Sequence, residues 1–442
     1  MVSIRGLVVA MMVLVFATAK VPADMTAETR NALESVEAFG LAQMNLYRAA
    51  GPRVPASYRD VPGMEDISYT YDAAILLKHL LARGRILEAR DIGDALVALQ
   101  KADPAGGGQW RAAYYASSLY APDGHTAAIR DPDSGTGNIC HAADALLRLY
   151  IATGYDPYIQ AAVRAAEWVD GQTRKKDAMG GFAVGLLGWT QQSQSYRVLE
   201  HQAAVSLLSK SLFQITGEAR WSDMHNHAWG LINRLYEPSQ GHYWTGTAGA
   251  DGTVISYWPI PADQVFVSLL DDESQQRRDD VLTWVASNLA VTDEIGGRTY
   301  CGIRFSSAGQ GLHVEASGFV LATRLLAGES PDDLPELASL EEIRLYAPNH
   351  DPEGIGLVAA ANPSGATTGY GVTYPNSRHL GATVAYGNAL LVAAGDSYGN
   401  PFHSIPEPCT IGLLLAGLPL LLMRNHRHGL RPPHCAESHD QV

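Results

Sequence analysis

Cysteine is scarce in this chain of 442 residues. Of four, Cys409 and Cys435 fall near the C-terminus, which leaves Cys140 and Cys301 in the body. One disulfide between them fits an oxidising compartment, but the spacing does not require it, and a disulfide-built scaffold is excluded. No C-x-x-C or H-E-x-x-H spacing occurs, so the sequence gives no support for a resident metal, and no cofactor is expected. A phosphate-cradling G-x-x-x-x-G-K loop is also missing, and the glycines of "PAGGG" read as a flexible turn. Positive charge is in deficit. The formal net charge of −14 argues against nucleic acid, anionic lipid and strongly anionic polymers as partners.

Long apolar runs are confined to the two ends. Arg5, the run Gly6–Phe16 and the small residues Ala17-Thr18-Ala19 form the three-part pattern of a secretory signal peptide over residues 1–23. Near the other end, Ser404-Ile405-Pro406-Glu407-Pro408 precedes an apolar run from Cys409 to Met423, which is followed by Arg424, His426, Arg427 and His428. That run is shorter than the roughly 20 residues of a comfortable membrane span, and basic residues behind an apolar stretch stay on the cytoplasmic side. The segment 404–428 resembles the PEP-CTERM sorting tag of Gram-negative bacteria, with its Pro-Glu-Pro triplet, short apolar stretch and basic cluster in order. The resemblance implies export through the inner membrane, transient anchoring, and removal of the tag by an exosortase-type membrane transpeptidase, leaving the protein at the surface or outside the cell. The polar tail 429–442 is a departure from the tag's usual end.

Residues 24–403 remain, enough for a large core. Apolar residues recur there at helical spacing and predict about twelve helices in six hairpins, an all-α body. "AAILLKHLLARG" and "ILEARDIGDALVALQK" make one such pair, with Gly84 between them. Asp72, Asn138, Glu200, Asp263, Glu315 and His379 each stand near the start of every second helix, about 50 to 65 residues apart, and small residues such as Ala73-Ala74 and Ala203-Ala204 follow. Small residues let helices approach around a central axis. Six repeats predict a closed ring with alternate helices inside, their N-termini gathering these polar residues in one crevice.

These stretches are similar to the six-hairpin, or (α/α)6-toroid, glycosidase-like superfamily, and closest to a poorly characterised secreted bacterial group within it. The likeness is carried by "YTYDAAILLKHLLARGRILEARDIGDALVALQ", "GTGNICHAADALLRLYIATG", "YRVLEHQAAVSLLSKSLFQITGEARW", "YWTGT" and "HLGATVAYGNALLVAAGDSYGNPF". That superfamily holds hydrolases, polysaccharide lyases and sugar epimerases, so the fold does not choose among them.

Glycoside hydrolysis needs two carboxyl groups around one bond, one protonated and one ionised. Carboxylates crowded in one crevice repel, which raises at least one pKa. The resemblance implies Glu200 as acid and Asp72 or Asp263 as base, with Glu315 as a second candidate acid. Each carboxylate has a plainer explanation too, as a first-turn residue favoured by the helix dipole. Asn138, His201, Trp189, Trp244, Tyr71, Trp258 and His379 are the expected sugar-binding residues, the aromatic ones either lining a groove or packing beneath loops. His313 is a weaker candidate, and "HNH" at His225–His227 reads as part of an outer helix. Arg130, Arg197, Arg304 and Arg378 are expected to pair with the crevice acids. The leading expectation is an exported hydrolase, inverting in stereochemistry, of a neutral or weakly charged glycan. The alternatives are a non-catalytic glycan-binding component of an exopolysaccharide matrix, and a lyase or epimerase using Tyr or His as base.

Overall fold

The computed structural model describes residues 25–396 and 400–403. The signal peptide, the sorting segment and the polar tail expected from the sequence lie outside these residues. Helix ends follow local chemistry. Thr26 caps α1 (Ala27–Asn45), its hydroxyl accepting from Thr29 N at 3.1 Å. The next helices are α2 (Thr70–Ala82), α3 (Ile86–Ala102), α4 (Thr136–Thr153), α5 (Asp156–Thr173), α6 (Leu199–Thr216) and α7 (Ala219–Leu235). Gly154 and Gly217 end α4 and α6 in the left-handed conformation, each returning its N–H to a carbonyl four residues back. The remainder are α8 (Val265–Ser268), α9 (Gln275–Leu289), α10 (Val314–Leu326), α11 (Pro335–Tyr346) and α12 (Leu380–Ala393).

Burial separates two sets of helices. α7 buries one stripe, Trp221, Met224, Ala228, Leu231, Ile232 and Leu235, at the spacing of an amphipathic helix with one face in water. α12 buries every residue from Leu380 to Leu391, as a helix enclosed on all sides must. The enclosed set packs in a closed order: α2 on α4, then α6, α8, α10 and α12, which returns to α2. Each inner helix also rests on an outer one: α2 on α3, α4 on α5, α6 on α7, α8 on α9, α10 on α11, and α12 on the N-terminal α1. This is the twelve-helix toroid that the spacing predicts. Glycine permits the tightest approach, since a Cβ on Gly318 of α10 would come within 2.8 Å of the Ala385 backbone of α12.

A second closed cycle fixes the rim. The first N–H of each inner segment donates to a backbone carbonyl in the connection of the following hairpin. Thr70 donates to Ala112, Thr136 to Val184, Leu199 to Thr245, Ala262 to Phe305 and Val314 to Ala359, and Leu380 closes the cycle at Ser57. These bonds satisfy helix-start donors that would otherwise be orphaned, and they hold six connections over one face of the ring.

Two elements depart from the sequence reading. The inner helix expected to start near Asp263 forms only a 3-10 turn (Ala262–Gln264) and the single turn of α8 within "PADQVFVSLL". Pro261 enters extended, and Ser274 already caps α9, so few residues are left to wind. An antiparallel hairpin, Ala290–Ile295 with Arg298–Ile303, follows α9 where no strand was foreseen. Cys140 and Cys301 are free thiols, the first buried on α4 and the second on this hairpin. Among the described residues no helix is long and apolar enough to cross a membrane.

Candidate active site

A cavity of about 520 Å³ opens at the face where the inner helices begin. Asp72, Asn138, Glu200, Asp263, Glu315 and His379, the six ring positions, all line it, and so does Tyr71. Each stands within two residues of the donor that joins the rim cycle, so the backbone bonding that closes the rim also aims these side chains inward.

The charged groups fall into two sets. In one, His379 Nε2 is 3.5 Å from Asp72 Oδ2, and its Nδ1 is 3.9 Å from Glu315 Oε2. Nδ1 also accepts from Ala382 N at 3.3 Å, capping α12. Burial opposes a charge on His379, but Asp72, through charge and a hydrogen bond, and then Glu315 outweigh it, and the net shift is upward. Tyr58 stacks on the imidazole at 4.4 Å. Glu315 is pushed up to about 7, first by burial and then by Asp72, while His379 and a hydrogen bond from Tyr71 act the other way.

The second set is Glu200 with Asp263. Burial raises the Glu200 carboxyl, and the negative charges of Asp263 and Glu315 raise it further. Asp263 is raised by burial, and its Oδ1 has no hydrogen-bond partner. Two acids whose charges act on each other do not ionise independently, so one can carry a proton where the other is ionised. His141 Nε2 lies 3.9 Å from Glu200 Oε1, and burial, reinforced by Lys78, holds this imidazole neutral.

Among the described residues no lysine or arginine lines the cavity. The four arginines expected to pair with the crevice acids turn elsewhere. Arg197 pairs with Asp177, and Arg378 with Asp60 and Asp351. Arg304 reaches Ala290 O, and Arg130 is exposed near Tyr69. Those acids lie in the connecting loops, which the helical spacing does not place. Among the described residues no group of His, Cys, Asp or Glu is arranged to hold a metal ion.

Several expected sugar-binding residues lie off the cavity wall. His201 is half-buried beside Gly137, and desolvation lowers its pKa to about 4. Trp189 and Trp258 are exposed at 65% and 62%. Trp244 packs edge-on against His242 and Tyr257, in a cluster beneath its own loop. The aromatic wall is built instead from Tyr58, Tyr69, Tyr374 and Phe305, with Tyr374 edge-on to His313 at 4.3 Å. These residues were not singled out in the sequence. A usable signal was their place, since Tyr69 and Tyr374 sit a few residues ahead of ring positions Asp72 and His379. His225 bonds Ser206 and stacks on Trp229, as befits an outer-helix position.

No protein-family model matches the chain, and no curated protein does. Solved structures do share the fold. A glycosidase variant in complex with glucose superposes with a TM-score of 0.59 at 13% identity, over 84% of this chain and 98% of that one. The wild-type glycosidase gives 0.57 at 12% identity, with the same coverage. A family 76 glycoside hydrolase from a bovine Bacteroides thetaiotaomicron strain gives 0.55 at 12% identity, over 83% of this chain and 78% of that one. The chain therefore shares the fold of these solved structures, a ring of six (α/α) hairpins.

Gly381 tests how tightly the first set is built. A Cβ there would lie 2.8 Å from Glu315 Oε2 and 3.1 Å from Asp72 Oδ1. Gly381→Ala is expected to push His379 and the two carboxyls apart and to lower the melting temperature measured by calorimetry, at a cost of about 1–3 kcal/mol.

Proposed function

We propose that this protein is a glycoside hydrolase acting on a neutral or weakly charged glycan, with Glu200 as general acid and Asp263 as general base. The observation that carries the proposal is the Glu200–Asp263 pair: two partly exposed carboxyls lining one cavity, both raised by desolvation, with the charge of Asp263 raising Glu200 further. Glu200 gives its proton to the glycosidic oxygen as the C–O bond breaks. Asp263 takes a proton from a water whose oxygen attacks the anomeric carbon from the opposite face, so the reaction inverts. Asp72, His379, Glu315 and Tyr71 offer hydrogen-bonding groups suited to sugar hydroxyls, and Tyr58, Tyr69, Tyr374 and Phe305 offer ring faces.

The absence of lysine and arginine from the lining supports an uncharged substrate. A lyase acting on uronates would be helped by a fixed cation opposite the carboxylate, and among the described residues no lysine or arginine faces the cavity, so that alternative has less support. A purely glycan-binding role would not call for a pair of carboxyls, one protonated and one ionised, near neutral pH. The end segments support export and surface sorting as part of this proposal.

Incubation with a panel of neutral oligosaccharides tests the reading, with released reducing ends and the first-formed anomer followed by proton NMR. Release with inverted configuration is expected from at least one neutral glycan, and weaker or no release from uronate polymers. Binding without release from any of them would favour the matrix-component reading, and an unsaturated, ultraviolet-absorbing product would favour a lyase.

A further inference from the structure

The segment Asn400–His403 runs beneath the cavity rather than over the surface. Phe402 is 1% exposed, stacks on Phe266 of α8 at 4.7 Å and meets His141 of α4 edge-on at 5.3 Å. Phe266 lines the cavity from above, and His141 stands 3.9 Å from Glu200. One aromatic ring thus lies against both a wall residue and the neighbour of the proposed acid.

The segment is fixed by charge in the core. Lys78 of α2 and Asp144 of α4 pair at 2.7 Å with side-chain exposures of 3% and 1%, and Arg148 joins Asp144 at 3.0 Å. The spare donors of these two cations go to the segment's backbone. Lys78 Nζ donates to Pro401 O at 3.1 Å, and Arg148 donates to Pro401 O at 3.4 Å and to His403 O. Asn400 Nδ2 donates to Leu269 O at 2.9 Å, just past the end of α8, while its Oδ1 accepts from Phe402 N. His403 Nδ1 lies 3.3 Å from Asp271 Oδ1. Every contact on this side falls on or just after α8, the one inner helix reduced to a single turn.

We propose that Asn400–His403 is the floor of the active site, with Phe402 a positioning residue that holds Glu200 through His141 and Phe266. This rests on the reading of Glu200 as general acid. Catalytic function then depends on a stretch that ends three residues before Pro406-Glu407-Pro408, so cleavage or tethering has to leave residue 403 and everything before it in place. A ring at this point excludes water from beneath Glu200. Without it, water reaches the carboxyl from below and the proton is held less firmly. The other groups facing Glu200 are Asp263 of the 3-10 turn, Glu315 of α10, His141 of α4, Tyr71 of α2 and Tyr374 of the last connection. Of these, His141 is the one that Phe402 touches, and it is the neutral one.

The test is Phe402→Ala in the full chain beside Phe402→Leu, with kcat, KM and the pH profile measured on the best oligosaccharide. Phe402→Ala is expected to lower kcat by about tenfold or more, with KM within about threefold of the parent, as for a group that shapes the reacting end only. Its alkaline limb is expected at lower pH, and Phe402→Leu, which keeps most of the volume, to stay near the parent in both respects. A folded Phe402→Ala protein with the parental kcat and alkaline limb would overturn the proposal. If that variant does not fold, Phe402→Val takes its place under the same criteria. If the parent hydrolyses nothing, the hydrolase reading fails separately, and the floor is judged by hydrogen exchange. Faster exchange in Ile139–Asp144 and Val265–Leu270 of Phe402→Ala would support it, and unchanged exchange would overturn it.

Discussion

Glu200→Gln is expected to lose turnover, keep glycan binding and become more heat-stable than the parent above neutral pH. A Gln amide keeps the shape of the side chain but has no proton to give, and loss of a general acid costs about 10²–10⁴-fold in kcat. The stability gain follows from the same carboxyl. Its folded pKa lies above the ordinary 4.5, raised by burial and by Asp263 and Glu315 with no cation opposing them. Below pH 4.5 it is protonated whether the chain is folded or not. As pH rises, the unfolded chain releases the proton first, so stability is lost progressively until the folded carboxyl also ionises. Gln removes that loss. Calorimetric scans are expected to show equal melting temperatures for the two proteins near pH 4 and a variant several degrees higher near pH 8, a difference on the order of 2 kcal/mol. An acid without catalytic strain would show no such crossover.

Asp263→Asn is expected to reduce kcat by about 10²–10⁴-fold as the base is lost. It also removes the largest of the charges that raise Glu200. The residual activity should therefore show its alkaline limb at lower pH than the parent, because Glu200 gives up its proton more easily. Asp72→Asn acts on the other set, where its partner is His379 at 3.5 Å. Its effect should fall on KM as well as kcat, with the Glu200 limb left near its parental position. Steady-state kinetics from pH 4 to 9 on the three proteins separates the base from the residues that grip sugar.

The ring was legible in the chain because its determinants are local. A polar residue at a helix start, small residues behind it and a repeat of about 50 to 65 residues mark each of Asp72, Asn138, Glu200, Asp263, Glu315 and His379 without knowledge of any other helix. The aromatic wall was not legible in this way. Trp189 and Trp258 were attractive by composition, but whether a loop turns its ring into the cavity depends on its path over five other connections. Tyr58 reaches His379 only because Leu380 N is bonded to Ser57 O, a contact across more than 320 positions of sequence. The short α8 and the segment beneath it are hidden for the same reason. "VFVSLL" has the apolar content of a longer helix, and only the docking of Asn400 and Phe402 on it shows why one turn is enough.

The account stands on carboxyls that the inner helix starts bring together and that burial holds protonated. Carbon-13 NMR of protein labelled at the glutamate side-chain carboxyl tests this directly, with Glu200 and Glu315 assigned through their Gln variants. Two glutamate carboxyls are predicted to titrate near or above neutral pH, with the Glu200 signal moving down when Asp263 becomes Asn. If Glu200 and Glu315 both titrate between pH 4 and 5, as exposed glutamates do, the site is not the acid–base device described here.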